Sequence, residues 1–239
     1  MDLDWYVITF VLAIGAVVLS FYAQLRVHRV YSKHNSEENA KGITGAQAAQ
    51  ALLEAAEIHD INIEEIRGVL TDHYDPRSGT LRLSQRVYSS KSLSAIGVAA
   101  HEAAHAIQHN EGYAPLMARQ NFARFAGLGS RVSIPLVIIG VLLMPTEVMS
   151  GLGWTLINTG LLLFTAIVIL SLITLPVEMN ASSRAIAMLE SNDILTENEL
   201  APAKRILTAA AWTYIAAALT SVISIIRLLI ISRGRWRKG

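Results

Sequence analysis

Apolar residues dominate four long stretches of the chain, and polar residues fill the segments between them. The first stretch, residues 5–25, carries no charge over roughly the 20 residues that a helix needs to cross a bilayer. Two more, 132–150 and 155–175, are separated by a turn sequence with Pro145 and two glycines, and the fourth covers 209–231. The pattern predicts a mostly α-helical membrane protein with about four transmembrane helices.

These stretches divide the chain into alternating membrane and polar parts. Asp2 and Asp4 precede the first stretch, where a signal peptide would carry basic residues, so we expect that helix to remain attached. The predicted parts are a first transmembrane helix (1–25), a polar domain (26–131), a transmembrane hairpin (132–175), a polar helix and loop (176–208), and a fourth transmembrane helix with a basic tail (209–239).

Local patterns predict secondary structure within the polar parts. Residues 42–58 have apolar positions at helical spacing, with Thr44 as the candidate N-cap. Residues 72–84 combine Asp-Pro and Ser-Gly turn signals with the alternating Thr-Leu-Arg-Leu-Ser, which predicts a hairpin or an edge strand. Residues 92–110 are rich in alanine and favour a helix, whereas Pro176 is expected to interrupt the apolar helix that contains it.

Composition agrees with a membrane protein and restricts its chemistry. Hydrophobic residues make up 52% of the chain and charged residues only 16%, which is too apolar for an average soluble domain. The chain has no cysteine, so a metal ion would need histidine, carboxylate or carbonyl ligands. A net charge of +1, without basic runs interleaved with aromatic residues, argues against nucleic acid as a partner.

The alanine-rich segment contains the sequence His-Glu-Ala-Ala-His at positions 101–105. Residues i and i+4 lie one above the other on a helix face, so His101 and His105 can reach one tetrahedral zinc ion. Glu102 would flank that ion, where its carboxylate can take a proton from zinc-bound water instead of binding the metal. The motif therefore predicts a catalytic zinc site.

A catalytic zinc site needs a third protein ligand. His109 continues the same stripe, but a helix rises about 1.5 Å per residue and places it about 12 Å from His101, too far to share one ion. Glu178 is a better candidate, although a helix dipole would also favour an interfacial acid there. Neighbours that could orient an imidazole or a peptide carbonyl, or serve only in capping and solvation, are Asn180, Ser182 and Arg184.

The distribution of basic residues predicts the orientation in the membrane. Lys and Arg are frequent on the side of the candidate site, whereas the other side has them only in the C-terminal tail. The positive-inside rule then places the polar parts in the cytoplasm, although the tail opposes this orientation. The basic residues on the site side are Arg26, Arg29, Lys33, Arg119, Arg124, Arg131, Arg184, Lys204 and Arg205, and those in the tail are Arg233, Arg235, Arg237 and Lys238.

Three strings, DHYDPRSGTLRLS, GVAAHEAAHAIQH and LPVEMNASSRA, occur in this order with apolar stretches between and around them. In these strings the chain resembles the YugP-like family of bacterial membrane zinc metallopeptidases, and the match covers nearly its whole length. It is similar, more distantly, to HtpX-type membrane proteases. The resemblance implies a small α+β zincin-like metallopeptidase domain of the gluzincin type in a multi-pass protein of the bacterial cell membrane.

The same resemblance assigns roles to particular residues. It implies one zinc ion per chain, bound by His101, His105 and Glu178, with Glu102 as the general base. It also implies an edge strand on which a peptide substrate aligns, formed by Leu81, Arg82, Leu83 and Ser84.

Two positions depart from the pattern of such families. Ala104 stands where glycine is expected, so its methyl group would crowd whatever packs against the helix there. Ser182 stands where more distant gluzincins tend to have aspartate, so the support of the ligands would be weaker or rearranged.

The predicted function is that of a membrane-embedded zinc endopeptidase that cleaves membrane-associated or unfolded proteins near the membrane surface. The expected partners are a peptide or protein substrate and membrane lipid, and the sequence does not indicate regulators or oligomerisation. A peptidase also needs a donor that stabilises the oxyanion, and the candidates are His73, Tyr74, Tyr113 and Arg184.

Three other functions would also use such residues. A site-2-type intramembrane protease is disfavoured, because the chain has no Asp-Gly and its motif helix is too short between polar flanks to span a bilayer. A membrane metal-ion transporter has no need of a carboxylate such as Glu102 beside the first histidine. A metal-stabilised, non-catalytic scaffold would not require the complete motif.

Overall fold

Helices make up most of the computed structural model, which describes residues 3–146 and 148–234. The tail residues Arg235, Arg237 and Lys238, which bear on the predicted orientation, lie outside the described residues. The elements in chain order are α1 (Leu3–His34), α2 (Gly45–Ala55), β1 (Asn62–Ile66), β2 (His73–Asp75), β3 (Thr80–Ser84), α3 (Gln85–Tyr88), α4 (Leu93–Asn110), α5 (Ala114–Leu143), α6 (Ser150–Ser191) and α7 (Glu197–Gly234).

Within the described residues, three helical stretches are long and apolar enough to cross a membrane. They are Val7–His34, Ser150–Ser191 and Glu197–Ile230, and α5 adds a shorter apolar segment, Gly129–Leu143. The prediction of a mostly helical membrane protein is confirmed at this level. A fourth span within 132–150 stays a prediction.

The chain forms two compact units. The first contains Met1–Tyr22, Ala118–Leu175 and Tyr214–Gly239, as far as these residues are described. The second contains Ala23–Met117 and Pro176–Thr213. Every residue that the sequence proposes for the metal site, its support or its substrate strand belongs to the second unit.

In the first unit, α5 and α6 run antiparallel and approach closely at small residues. A Cβ atom on Gly140 would lie 2.6 Å from the carbonyl oxygen of Gly153, and one on Gly160 would lie 2.7 Å from that of Ser133. Because real Cβ atoms do not approach other atoms so closely, the two backbones meet where only glycine fits. The apolar segment of α5 therefore lies directly alongside the apolar part of α6.

This close approach makes Gly160 sensitive to substitution. We expect Gly160→Leu to destabilise the purified protein by about 1–3 kcal/mol, because the added side chain forces the helices apart. Gly151→Leu on the same helix is the matched control, since a Cβ there meets no atom within 4 Å. Thermal unfolding in detergent measures both, and equal unfolding temperatures for the two variants would contradict this packing.

The second unit contains a three-stranded sheet with the strand order β1-β3-β2. β3 pairs antiparallel with β2, which confirms the predicted hairpin, and it pairs in parallel with β1. The sequence does not predict β1, because two adjacent glutamates, Glu64 and Glu65, interrupt the alternation of apolar and polar positions. β3 is therefore the central strand of the sheet.

The prediction that residues 81–84 form a substrate-binding edge strand is wrong, because strands cover both sides of β3. Their side chains instead hold the sheet together. Leu81 and Leu83 are completely buried in the core, and the backbone N–H and hydroxyl of Ser84 donate to Asp72. The remaining residue, Arg82, bridges the neighbouring strands through Asp75 at 2.9 Å and Glu64 at 3.5 Å.

The predicted helix starts of the second unit are confirmed. The side chain of Thr44 accepts a hydrogen bond from the backbone of Gln47 and completes a capping box at the start of α2. Ser92 caps α4 in the same way through Ala95. The core that these helices share is rich in small side chains, and Ala104 fits into it without any exposed surface.

Pro176 does not interrupt its helix, contrary to the prediction. α6 continues from Ser150 through Pro176 to Ser191. Proline removes one backbone donor, but its φ angle suits a helix, and a single missing bond costs less than ending a long apolar helix with many unpaired groups. Glu178 and its neighbours therefore lie on the same helix as the apolar stretch before them.

Candidate metal centre

Two histidines of α4 and one carboxylate of α6 meet in the second unit. The rings of His101 and His105 lie one helical turn apart, with their centroids separated by 4.7 Å. Nε2 of His101 lies 3.1 Å, and Nε2 of His105 lies 3.4 Å, from Oε2 of Glu178. All three ligand atoms lie within 4.8 Å of one another. The structure thus brings together the three residues that the sequence proposes as ligands.

The separations suit a tetrahedral zinc ion. Zinc binds imidazole nitrogen and carboxylate oxygen at about 2.0–2.1 Å, so two ligand atoms of one tetrahedron lie about 3.3 Å apart. The two nitrogen–oxygen distances, 3.1 Å and 3.4 Å, fall on either side of this value. Two imidazoles and a carboxylate also match the donor set of catalytic zinc sites that keep one position for water. His101, His105 and Glu178 therefore form a candidate zinc site.

The candidate site is largely shielded from solvent. Glu178 is only 2% exposed, and the side chains of His101 and His105 are 13% and 11% exposed. Burial lowers the pKa of His105, but the hydrogen bond with Glu178 and the charges of Glu102 and Glu178 outweigh burial, so the pKa lies above its ordinary value. A proton on His105 therefore competes with a metal ion for the same imidazole.

The other ring nitrogen of each histidine contacts a polar side chain. Nδ1 of His105 lies 2.9 Å from Oε1 of Gln108, and Nδ1 of His101 lies 3.3 Å from the hydroxyl oxygen of Ser182. Contacts of this kind orient the rings of metal-binding histidines. Both Nε2 atoms are consequently directed at Glu178.

Glu102 lies beside the three candidate ligands and is held by the sheet. Its Oε2 accepts a hydrogen bond from the backbone N–H of Tyr74 on β2, at 3.1 Å. Glu102 follows His101 on α4. The backbone N–H of Tyr74 directs its carboxylate toward the strand, whereas the two histidines point to Glu178. This is the arrangement expected of a carboxylate that acts on a water molecule beside a metal ion instead of binding the ion.

The predicted supporting residues on α6 form a second set of contacts. Oδ1 of Asn180 accepts hydrogen bonds from Nε2 of Gln108 at 2.8 Å and from Nε of Arg184 at 2.9 Å. Arg184 also forms an ion pair with Glu111 at 2.6 Å. Asn180 thus reaches the site through Gln108, and Ser182 contacts His101 directly. Arg184 reaches the site only through Asn180.

The other candidate oxyanion donors contact different groups within the described residues. His73 is exposed, with Nδ1 2.9 Å from the carbonyl oxygen of Thr71. The hydroxyl of Tyr74 pairs with His109 at 3.0 Å. The Tyr113 ring faces the guanidinium of Arg184 at 5.9 Å. His109 therefore lies outside the candidate ligand set, as helical geometry predicts, and its ring is hydrogen-bonded.

Gln108 is the supporting residue that the sequence analysis misses. It is fully buried and contacts both His105 and Asn180. The available signal is its spacing, because it follows His105 by three residues and so lies beside it on a helix. A glutamine is also common on exposed helix faces, so spacing alone does not identify its role.

Comparisons with known proteins agree with this site. A family model described as "Putative neutral zinc metallopeptidase" matches residues 9–233. The "Putative membrane protease YugP" of Bacillus subtilis (strain 168) is 41% identical over 220 residues, which cover 92% of this chain and 94% of that protein. The chain belongs to this family. No solved structure matches it.

Membership of the YugP-like family confirms the resemblance read from the three sequence strings. It also implies zinc as the metal, which agrees with the donor set of His101, His105 and Glu178. A membrane protease as a relative agrees with the three long apolar helices. A protease of this family acts on peptide or protein substrates.

Removal of Glu178 tests the ligand set. We expect Glu178→Ala to weaken zinc binding by more than the roughly 10–100-fold that loss of an outer-shell partner costs, because one of three protein ligands is gone. Glu190→Ala is the matched control, since Glu190 is an exposed glutamate on the same helix. Zinc titration of the metal-free proteins compares them, and an unchanged affinity for Glu178→Ala would remove this residue from the site.

Proposed function

We propose that this chain is a zinc endopeptidase of the gluzincin type that cleaves membrane-associated or unfolded proteins near the membrane surface. His101, His105 and Glu178 are its zinc ligands, and Glu102 is its general base. The observation that carries the proposal is the position of Glu102, whose carboxylate lies outside the ligand cluster and is held by the N–H of Tyr74. A site for storage, transport or structural support of a metal does not need such a group.

The roles of the residues follow from their chemistry. A bound zinc ion supplies a Lewis acid that polarises the scissile carbonyl and makes water acidic enough to attack it near neutral pH. Glu102 accepts the proton from the attacking water and later donates it to the leaving amine. Because Tyr74 holds one carboxylate oxygen, the other oxygen stays available for these transfers.

The edge of the sheet offers a place for an extended substrate, and we assign it to β2 in place of β3. Tyr74 stands opposite Leu81 of β3, yet its N–H donates to Glu102, so this N–H points away from β3. In an antiparallel pair the N–H and C=O of one residue point to the same side. The carbonyl of Tyr74 thus faces the site, where it can accept a hydrogen bond from a substrate backbone or the leaving amine.

We assign the peptidase domain and the membrane spans to the parts of the chain that the sequence predicts. Residues 26–131 and 176–208 form the metallopeptidase domain, residues 1–25 and 132–175 provide three membrane spans, and residues 209–239 provide a fourth span followed by a basic tail. The close packing of α5 against α6 supports the additional span within 132–150, because glycine contacts of this kind are typical of membrane helices. The basic residues near the site support a cytoplasmic position of this domain.

Glu102→Gln tests the catalytic assignment. We expect peptidase activity on an unfolded protein to fall by about 10²–10⁴-fold, the usual contribution of a general base, while the bound zinc content stays unchanged. Glu65→Gln on the exposed side of β1 is the control. Full activity of Glu102→Gln would make the assignment of Glu102 as general base wrong, and loss of zinc would instead make Glu102 part of the binding site.

The absence of cysteine allows a direct test of orientation. We expect Ser89→Cys, on the site-bearing side, to resist a membrane-impermeant maleimide in intact bacteria and to react after lysis. Val148→Cys, at a turn residue that is 94% exposed, should react in intact cells. The reverse labelling pattern would place the site outside the cytoplasm without affecting the zinc or peptidase assignments.

A further inference from the structure

Gln108 is a fully buried amide that makes a hydrogen bond with each end of its polar group. Its Nε2 donates to the carbonyl of Val177 at 3.0 Å and to Oδ1 of Asn180 at 2.8 Å. Its Oε1 lies 2.9 Å from Nδ1 of His105. One side chain of α4 thus connects a candidate ligand on its own helix to two residues of α6.

The chemistry of these partners fixes the direction of every hydrogen bond. Arginine can only donate, so Oδ1 of Asn180 must accept from Arg184. A backbone carbonyl can only accept, so the group of Gln108 that faces Val177 must be its NH2. The oxygen of Gln108 therefore faces His105. An amide oxygen accepts, so Nδ1 of His105 must carry the hydrogen.

We propose that Gln108 is a positioning residue that holds His105 in its Nδ1–H form and so leaves the lone pair on Nε2, the atom that faces Glu178. The proposal rests on the zinc site of the proposed function. It adds that His105 is in this form before a metal ion binds, because Arg184, Asn180 and Val177 set the directions of the hydrogen bonds. None of these three residues is itself a proposed ligand.

His101 provides an internal comparison. Its Nδ1 faces the hydroxyl of Ser182 at 3.3 Å. A hydroxyl can donate or accept, so this contact does not select one form of the imidazole. The two candidate ligands should therefore differ in the metal-free protein: Gln108 fixes a hydrogen on Nδ1 of His105, whereas Ser182 does not fix one on Nδ1 of His101.

Nitrogen NMR of the metal-free, full-length protein with labelled histidines tests this directly. At a pH at which the imidazoles are neutral, His105 should show a protonated Nδ1 and an unprotonated Nε2, with its signals assigned by loss in His105→Gln. A protonated Nε2 on His105 in the parent protein overturns the proposal, and this measurement needs no variant of Gln108.

Variants then test whether Gln108 is the cause. Gln108→Met removes the acceptor at similar volume, and we expect mixed signals for His105 and zinc affinity lower by about 10–100-fold. Gln50→Met is the control, because Gln50 is an exposed glutamine that contacts Glu54 on α2. A folded Gln108→Met that keeps both the Nδ1–H signal and the parent affinity overturns the proposal.

Asn180 gives a second pair of variants in case Gln108→Met fails to fold. Asn180→Asp keeps an oxygen that accepts from Gln108 and Arg184, so His105 should keep its Nδ1–H signal. Asn180→Leu removes that acceptor and should weaken zinc binding more than Asn180→Asp does. Equal zinc affinities and equal His105 signals for both variants contradict the proposed relay.

The Glu178→Ala titration distinguishes a failure of the zinc site from a failure of the role of Gln108. If Glu178→Ala leaves zinc affinity unchanged, the proposed zinc site itself is wrong. If Glu178→Ala weakens binding while Gln108→Met does not, the site stands and only the role of Gln108 fails.

Discussion

The buried carboxylate of Glu178 sets the geometry of the second unit. A carboxylate that is 2% exposed is costly unless other groups compensate its charge. The Nε2 atoms of His101 and His105 lie 3.1 Å and 3.4 Å from it, so a hydrogen on Nε2 of His101, or a cation held by all three groups, can compensate that charge. The carboxylate is on α6 and both imidazoles are on α4, so the two helices must meet in one register. Small side chains such as Ala103 and Ala181, both fully buried, allow this approach.

The group proposed for catalysis and the groups proposed for metal binding are held by different elements around this contact. His101, His105 and Glu178 converge on one point, whereas Glu102 is drawn to the N–H of Tyr74 on β2. The sheet thus holds the proposed base, and the helix pair holds the candidate ligands. In the proposed peptidase, a peptide along β2 would lie next to Glu102, which suits attack on a carbonyl bound at that edge.

Features that depend on neighbours in sequence could be predicted from the sequence. The spacing of His101 and His105 works through one helix turn, and the cap at Thr44 acts within three residues. Long apolar stretches likewise indicate membrane helices, because length and composition are sufficient for that inference. Glu178 required the family resemblance, because nothing local distinguishes it from an interfacial acid.

Features that depend on distant pairing could not be predicted in the same way. The central position of β3 follows from its pairing with β1, and the sequence of β1 gives no alternating signal. The helix through Pro176 persists because its surroundings favour an unbroken apolar helix over the local preference of proline. Gln108 has a role only because α6 presents the carbonyl of Val177 and the side chain of Asn180 to it.

The two candidate histidine ligands are supported unequally, and this difference has a consequence for the site. Nδ1 of His105 contacts the buried amide of Gln108, whose orientation is fixed. Nδ1 of His101 contacts the hydroxyl of Ser182 at a longer distance. The hydroxyl of Ser182 also provides less negative charge to an imidazole than a carboxylate would. His101 is therefore the candidate ligand whose orientation would depend more on a bound metal ion.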